Sequence, residues 1–288
     1  MHPADSPPPF SRREGRSAFD GVAASYADAR PPYPERVYEI LQARCGLAPG
    51  RRVLEIGAGS GQATHRLVAA GAHVVVVEPS RALADQLRAR LATTPSLEVV
   101  VAPFEDADLP SATFDLVAAA TSFHWLETGP ALAKIAHLLQ PAGWVALWWN
   151  VFGDPERPDP FHDATRDLLR GLEPSPSEGS SGTPEGSSGT PFALDVEARV
   201  ADLGNAGFEG VEHESIRWTL RLDPPGTRRL YATYSNIARL PEGPREAILD
   251  EIARIADVEF GGRVERQMVT PVYTAQRPAG SRASAGRR

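Results

Sequence analysis

Glu55 stands two residues ahead of a GxGxG run, Gly57-Ala58-Gly59-Ser60-Gly61, and a second acid, Glu78, closes the apolar stretch that follows. Glycines at such a turn permit positive φ and let a ligand approach the main chain. A helix starting after the turn would aim its unpaired N–H groups and positive dipole end at the same spot. Together these residues make a cradle for a nucleotide-like ligand. A dinucleotide fingerprint needs its third glycine five positions after the first, and that position here is Gln62. The negative charge of Glu55 also suits a pyrophosphate poorly. It is better matched to a ligand carrying an ammonium and a sulfonium, such as S-adenosylmethionine. Glu78 is placed to accept from both ribose hydroxyls, which does not separate that ligand from NAD. An NAD-dependent oxidoreductase is the weaker alternative, and a scaffold that binds the cofactor without transfer is another.

A second candidate for chemistry is His124, between Phe123 and Trp125 and just beyond the predicted strand 114–120. Ligands sit at the carboxyl edge of such sheets, so His124 is a candidate general base. The competing reading is a histidine wedged between two aromatic rings. Trp125, Trp148 and Trp149 offer an apolar wall or a cation–π contact to a sulfonium. Trp148 and Trp149 fall on opposite faces of one strand, so at most one faces the site. Arg217, Arg221, Arg228, Arg229 and Arg239 are either a recognition set for an anion or ordinary solvated arginines. With seven scattered histidines, no HExxH spacing and a lone cysteine, Cys45, the expected metal requirement is none and no intrachain disulfide can form.

The elements that must position these residues alternate regularly. Strands are predicted at Arg52–Ile56, His73–Glu78, Leu97–Ala102, Phe114–Ala120 and Trp144–Asn150, with helices at Glu35–Arg44, Gln62–Ala70, Arg81–Ala92 and Gly129–Leu139. Such repetition implies an α/β fold, a doubly wound, mostly parallel sheet, here of seven strands. Helices follow at Asp159–Gly171, Val196–Asn205, Gly226–Ala238 and Glu242–Ala256, and strands at Val211–Leu220 and Arg263–Thr274. The heptad EGSSGTP at 178–184 repeats unchanged at 185–191, which reads as a flexible surface loop within 174–191. The expected organisation is a disordered segment 1–16, one domain over 17–276 and a disordered tail 277–288. Within the domain the core is 47–150, and a cap is drawn from 17–46, 151–195 and 224–257.

The 288-residue chain carries a formal charge of −7, and no apolar run in it is long enough to span a membrane. An acidic chain argues against a nucleic-acid partner. No apolar segment marks a secretory leader, so a cytoplasmic protein acting on a small molecule is expected, with a homodimer left open.

Four blocks carry a family resemblance: Val53–Thr64 (VLEIGAGSGQAT), Val74–Ser80 (VVVVEPS), Phe104–Leu126 and His137–Trp149. In that order and spacing the chain resembles a class I S-adenosylmethionine-dependent methyltransferase, over roughly residues 17–150. The resemblance implies that Gly57, Ala58, Gly59 and Gly61 line the methionine portion beside Glu55. Glu78 would hold the ribose and Pro79 would flank the adenine, with Phe104 and Glu105 at the adenine ring and its edge. Where many relatives carry an Asp just before the position of Phe104, this chain has Pro103, so the resemblance implies an adenine held by backbone and stacking, or by Glu105 in its place. Ala120 and Thr121 would face the cofactor from the opposite side. Ser122–Trp125 and the segment Tyr26 to Pro34 are similar to small-molecule methyltransferases of the trans-aconitate type. There a Tyr and an Arg, here Tyr26 and Arg30, close over the cofactor's carboxylate end. O-methylation of a carboxylate or hydroxyl is the expectation that this likeness implies.

Overall fold

The structure, a computed structural model, describes residues 29–169, 172 and 190–280. Apolar, largely β-branched runs form the centre of one sheet. Strands β1 (Arg52–Ile56), β2 (His73–Val77), β3 (Leu97–Val100), β4 (Phe114–Ala120) and β5 (Leu139–Trp148) pair in parallel in the order β3-β2-β1-β4-β5. Helices α1 (Glu35–Ala43), α2 (Thr64–Ala69), α3 (Arg81–Arg90) and α4 (Thr128–Leu138) precede or connect them. The chain then forms β6 (Val151–Phe152), α5 (Pro160–Leu169), α6 (Val196–Asn205), β7 (Glu209–Leu222), α7 (Pro224–Ala232), α8 (Ser235–Ala238), α9 (Glu242–Val258) and β8 (Val264–Gln276).

Strand β8 runs antiparallel to β5, β6 and β7. The sheet thus has eight strands rather than the expected seven. The extra one is β6, where the chain leaves β5 after Trp148 and resumes pairing for two residues, against Val269 and Met268. Predicted helix 226–238 is divided, because α7 ends at Ala232, where the Thr233 hydroxyl donates to the Leu230 carbonyl. Arg277, expected in the tail, extends the fold by donating its N–H to Gly143 at 2.8 Å. Residues 178–189 of the 178–191 repeat, segment 1–16 and residues 281–288 of the expected tail lie outside the described residues.

Side chains alternate across the sheet as the pleat requires. Val53, Val74 and Val76 face Val37, Ile40 and Leu41 of α1, Leu67 of α2 and Leu87 of α3. Leu54, Val75 and Val77 face Leu132 and Ile135 of α4 on the other side. Helix α1, placed in the cap by the sequence, therefore packs on the sheet. A separate apolar cluster joins α5, α7, α8 and α9 through Phe161, Tyr231, Ile237, Leu249 and Ile252. Among the described residues, no helix is long and apolar enough to cross a membrane.

Candidate functional site

The carboxyl ends of β1, β2 and β4 open into a cleft lined by Gly57, Gly59, Glu78, Pro79, Phe104 and Thr121. Gly57 prolongs β1 by donating its N–H to the Val77 carbonyl at 2.8 Å. Its φ is +67°, and a Cβ there would lie 2.7 Å from Cβ of Ser122, so the turn demands glycine on both counts. The Gly59 N–H donates to Glu78 Oε2 at 2.8 Å, and the Ser80 N–H to Glu78 Oε1 at 2.9 Å. Ser80 also caps α3, its hydroxyl accepting from the Leu83 N–H. The cap of one helix, the end of β2 and the glycine turn thus hold the Glu78 carboxylate at the cleft wall.

Glu55 is fully buried beneath this turn, and neither carboxylate oxygen meets a hydrogen-bond donor in bonding geometry. The buried hydroxyls of Ser60 and Thr64, close by in the sequence, also lack a partner in bonding geometry, although Thr64 lies near enough to Glu55 to act on its charge. Burial pushes the Glu55 carboxyl up to about 7; the Thr64 hydroxyl tempers the rise and the negative Glu78 adds to it. An unpaired buried carboxylate is costly, and a cationic ligand group would offset that cost. A cradle that a Cβ would fill, an orphaned buried acid and a second acid oriented at the wall fit an adenosine joined to a cationic amino-acid tail.

Several of the expected site residues do not line this cleft. Gly61 has φ +92° and backs onto Leu87 of α3; together with Arg30 and Gln62 it lines a second hollow outside the cleft. Glu105 is exposed, Ala58 is buried without lining the cleft, and Ala120 pairs with Trp148 in the ladder. Arg30 donates to the Thr233 carbonyl at 2.9 Å, and its guanidinium lies over the Phe152 and Tyr234 rings. Tyr26 lies outside the described residues.

His124 is buried in the 3-10 turn Phe123–Trp125, where its Nδ1 accepts from Trp149 Nε1 at 3.1 Å. Its ring lies against Trp125 and Phe192, and it is not among the residues that line the cleft. Trp148 and Trp149 pack on opposite faces, each with its own core cluster. Of the arginines, Arg217 pairs with Asp154 and Glu156, Arg221 with Glu265, and Arg228 with Glu246 and Asp250.

Sequence reasoning missed three contributions. Lys134, the single lysine of the chain, reaches back from α4 to the carbonyls of Phe104 (2.8 Å), Glu105 (3.1 Å) and Ala107 (2.7 Å) and so fixes the loop after β3. Leu83 and Leu126 join the cleft wall from α3 and from the turn after β4. Asn150 ties the proline-rich stretch before α1 to the sheet, donating to the carbonyls of Pro31 and Pro32. A lone lysine amid arginines was a signal for the first; nothing local marks the others.

The sequence matches the methyltransferase domain family over residues 54–147, the part of the chain that builds the cleft. It is 30% identical over 247 residues to an uncharacterized methyltransferase of Mycobacterium tuberculosis, covering 85% of this chain and 88% of that one. It is 32% identical over 209 residues to a malonyl-[acyl-carrier protein] O-methyltransferase of Geobacter sulfurreducens, covering 70% of this chain and 73% of the other. The fold is similar to a phosphoethanolamine N-methyltransferase of Haemonchus contortus, solved with phosphomonomethylethanolamine and S-adenosylhomocysteine. That likeness has a TM-score of 0.57 at 15% identity and covers 93% of this chain but 60% of the longer protein.

Proposed function

We propose that this chain, which belongs to the class I S-adenosylmethionine-dependent methyltransferases, methylates a carboxylate oxygen of a small-molecule acceptor. Bound S-adenosylmethionine supplies a methyl group already activated on a sulfonium. The chain's own residues have to bind the cofactor, align an acceptor and exclude water, and alignment alone can be worth roughly 7–11 kcal/mol. Glu78 is oriented for the ribose, Phe104 and Pro79 for the adenine, and the orphaned Glu55 carboxylate for the cationic tail.

The observation that carries the choice of acceptor is the lack of a base at the cleft. Among the described residues that line it there is no histidine or lysine, and its one acid, Glu78, is held by two backbone N–H groups. His124 accepts from Trp149 behind the wall. A hydroxyl or ammonium acceptor calls for a general base, whereas a carboxylate is ionised at neutral pH and needs none. The Geobacter relative, by name an O-methyltransferase acting on a malonyl group, supports oxygen as the methylated atom. A metabolite-sized acceptor agrees with the charge of −7 and with the helical cluster of α5, α7 and α9 beside β8.

The test is transfer of radiolabelled methyl from S-adenosylmethionine to a panel of carboxylic acids, phenols, alcohols and amines, followed by mild alkaline treatment. A carboxyl methyl ester releases its label as methanol. Label that survives alkali overturns the carboxylate reading while leaving methyl transfer intact.

A further inference from the structure

Thr121 is a β-branched residue at φ +54°, a region such residues seldom enter. It sits at the carboxyl end of β4 and lines the cleft. Strain of this kind persists only where the surroundings over-determine it. Here the Thr121 N–H donates to the Trp148 carbonyl at 2.7 Å, holding the backbone to β5. Its Oγ1 accepts from the Tyr33 hydroxyl at 2.9 Å and from the Asn150 N–H at 3.3 Å.

Behind it the chain of bonds continues. Asn150 Oδ1 accepts from the Thr270 hydroxyl at 2.7 Å, and Thr270 Oγ1 accepts from Trp218 Nε1 at 2.9 Å. Asn150 Nδ2 donates to the carbonyls of Pro31 and Pro32, at 3.2 and 3.3 Å. Tyr33 is further held edge-on against Trp148. Every link outward from Thr121 is thus oriented by β7, β8 or the proline-rich stretch.

A hydroxyl has one hydrogen to donate and two lone pairs to accept with. The Asn150 N–H can only donate to Thr121 Oγ1, whereas the contact between the Thr121 and Tyr33 hydroxyls can run either way, so a strong acceptor in the cleft can take the Thr121 hydrogen while Tyr33 donates to Oγ1. The neighbouring Ser122 hydroxyl is committed to the Ile56 carbonyl. Thr121 therefore holds a hydroxyl of fixed position at the cleft, ready to donate to an acceptor there. A donor recognises an oxygen that carries lone pairs or negative charge, and it repels an ammonium.

We propose that the Thr121 hydroxyl, positioned by Tyr33 and Asn150, is the hydrogen-bond donor that orients a carboxylate for methylation. It would bind one oxygen while the other, unprotonated, faces the methyl group. That oxygen's lone pair forms the new O–CH3 bond, the C–S bond breaks with its electrons on sulfur, and no proton moves. This assignment rests on the carboxylate reading above. The same donor chemistry would serve the cofactor's own carboxylate, and the test separates the two sources.

The experiment is calorimetry on the full chain saturated with S-adenosylhomocysteine. The probes are mono-, di- and tricarboxylates of two to ten carbons, each paired with its amide. Thr121→Val, which keeps the shape but not the hydroxyl, should weaken the best carboxylate about tenfold and abolish its preference over the amide. Affinity for S-adenosylhomocysteine should fall by clearly less than affinity for the carboxylate. Thr121→Ser should restore the preference, and Tyr33→Phe and Asn150→Ala should each reduce it in part. Unchanged preference in Thr121→Val, or no carboxylate bound by the wild type, overturns the proposal. Loss of S-adenosylhomocysteine affinity in step with the carboxylate hands the donor to the cofactor and overturns it too. A wild-type chain that does not bind S-adenosylhomocysteine at all signals instead that the cofactor reading has failed.

Discussion

Glu55 and Asp159 are both buried carboxylates, and the fold treats them in opposite ways. Asp159, 8% exposed, accepts from Nε of the buried Arg266 at 2.8 Å and from the His162 N–H at 2.9 Å. Arg266 in turn donates to the Tyr231 hydroxyl at 2.6 Å. That acid, on the stretch entering α5, is neutralised and bonded from within the chain. Among the described residues, Glu55, fully buried under the glycine turn, meets no counter-ion and no donor in bonding geometry, with the Thr64 hydroxyl near enough to act on its charge. A buried charge completed by its own chain is part of the architecture. One left incomplete at a glycine-lined cleft marks where a ligand supplies the missing partner.

The contrast can be broken first at the satisfied pair. Arg266→Met leaves Asp159 uncompensated and should cost about 3–5 kcal/mol in urea denaturation, with little change in the affinity of the folded fraction for S-adenosylhomocysteine. A loss of affinity exceeding the loss of stability would move the pair into the site.

Glu55 should show the opposite signature. Its folded value of about 7 lies above the ordinary carboxylate value of 4.5. The folded state therefore binds the proton more tightly than the unfolded one. The stabilisation is complete below the unfolded value and is lost as pH rises through the folded value. Wild type should lose about 3 kcal/mol relative to Glu55→Gln as the pH is raised across that window without ligand. Bound S-adenosylhomocysteine, which carries the ammonium, should shrink the difference. Parallel pH profiles for the two proteins would remove the argument for an incomplete charge.

Two smaller effects sharpen the same division. Glu78→Ala should raise the dissociation constant for S-adenosylhomocysteine at least tenfold, about 1.4 kcal/mol, by calorimetry. Ser80→Ala removes the cap of α3 and should cost about 1 kcal/mol of stability. Because Ser80 reaches Glu78 through its backbone N–H, cofactor affinity should change less than in Glu78→Ala.

Most of the sheet was legible because it is built from local signals. Val53–Ile56, Val74–Val77 and Phe114–Ala120 are short, apolar and bounded by turns, and each forms a strand within a residue or two of its expected limits. Gly57, Gly59, Glu78, Pro79, Phe104 and Thr121 do converge on one cleft, since each follows the carboxyl end of a strand in a parallel array. What eluded the sequence depends on distant partners. The two-residue β6 exists only because β8 lies beside it, and Gly61 faces α3 because Leu87 occupies the space behind it.

Residue types and their spacing along the chain determined the alternating fold, the glycine turn and the acidic character of the pocket, because these follow from backbone freedom, periodicity and charge. Whether an acid is satisfied was decided by the tertiary structure alone. Asp159 and Arg266 are far apart in sequence and meet through packing, while the same packing brings Glu55 no counter-ion among the described residues. The position of Thr121 belongs to that second class. Its backbone strain and the fixed position of its hydroxyl arise only once Tyr33, Asn150 and Trp148 have closed around it.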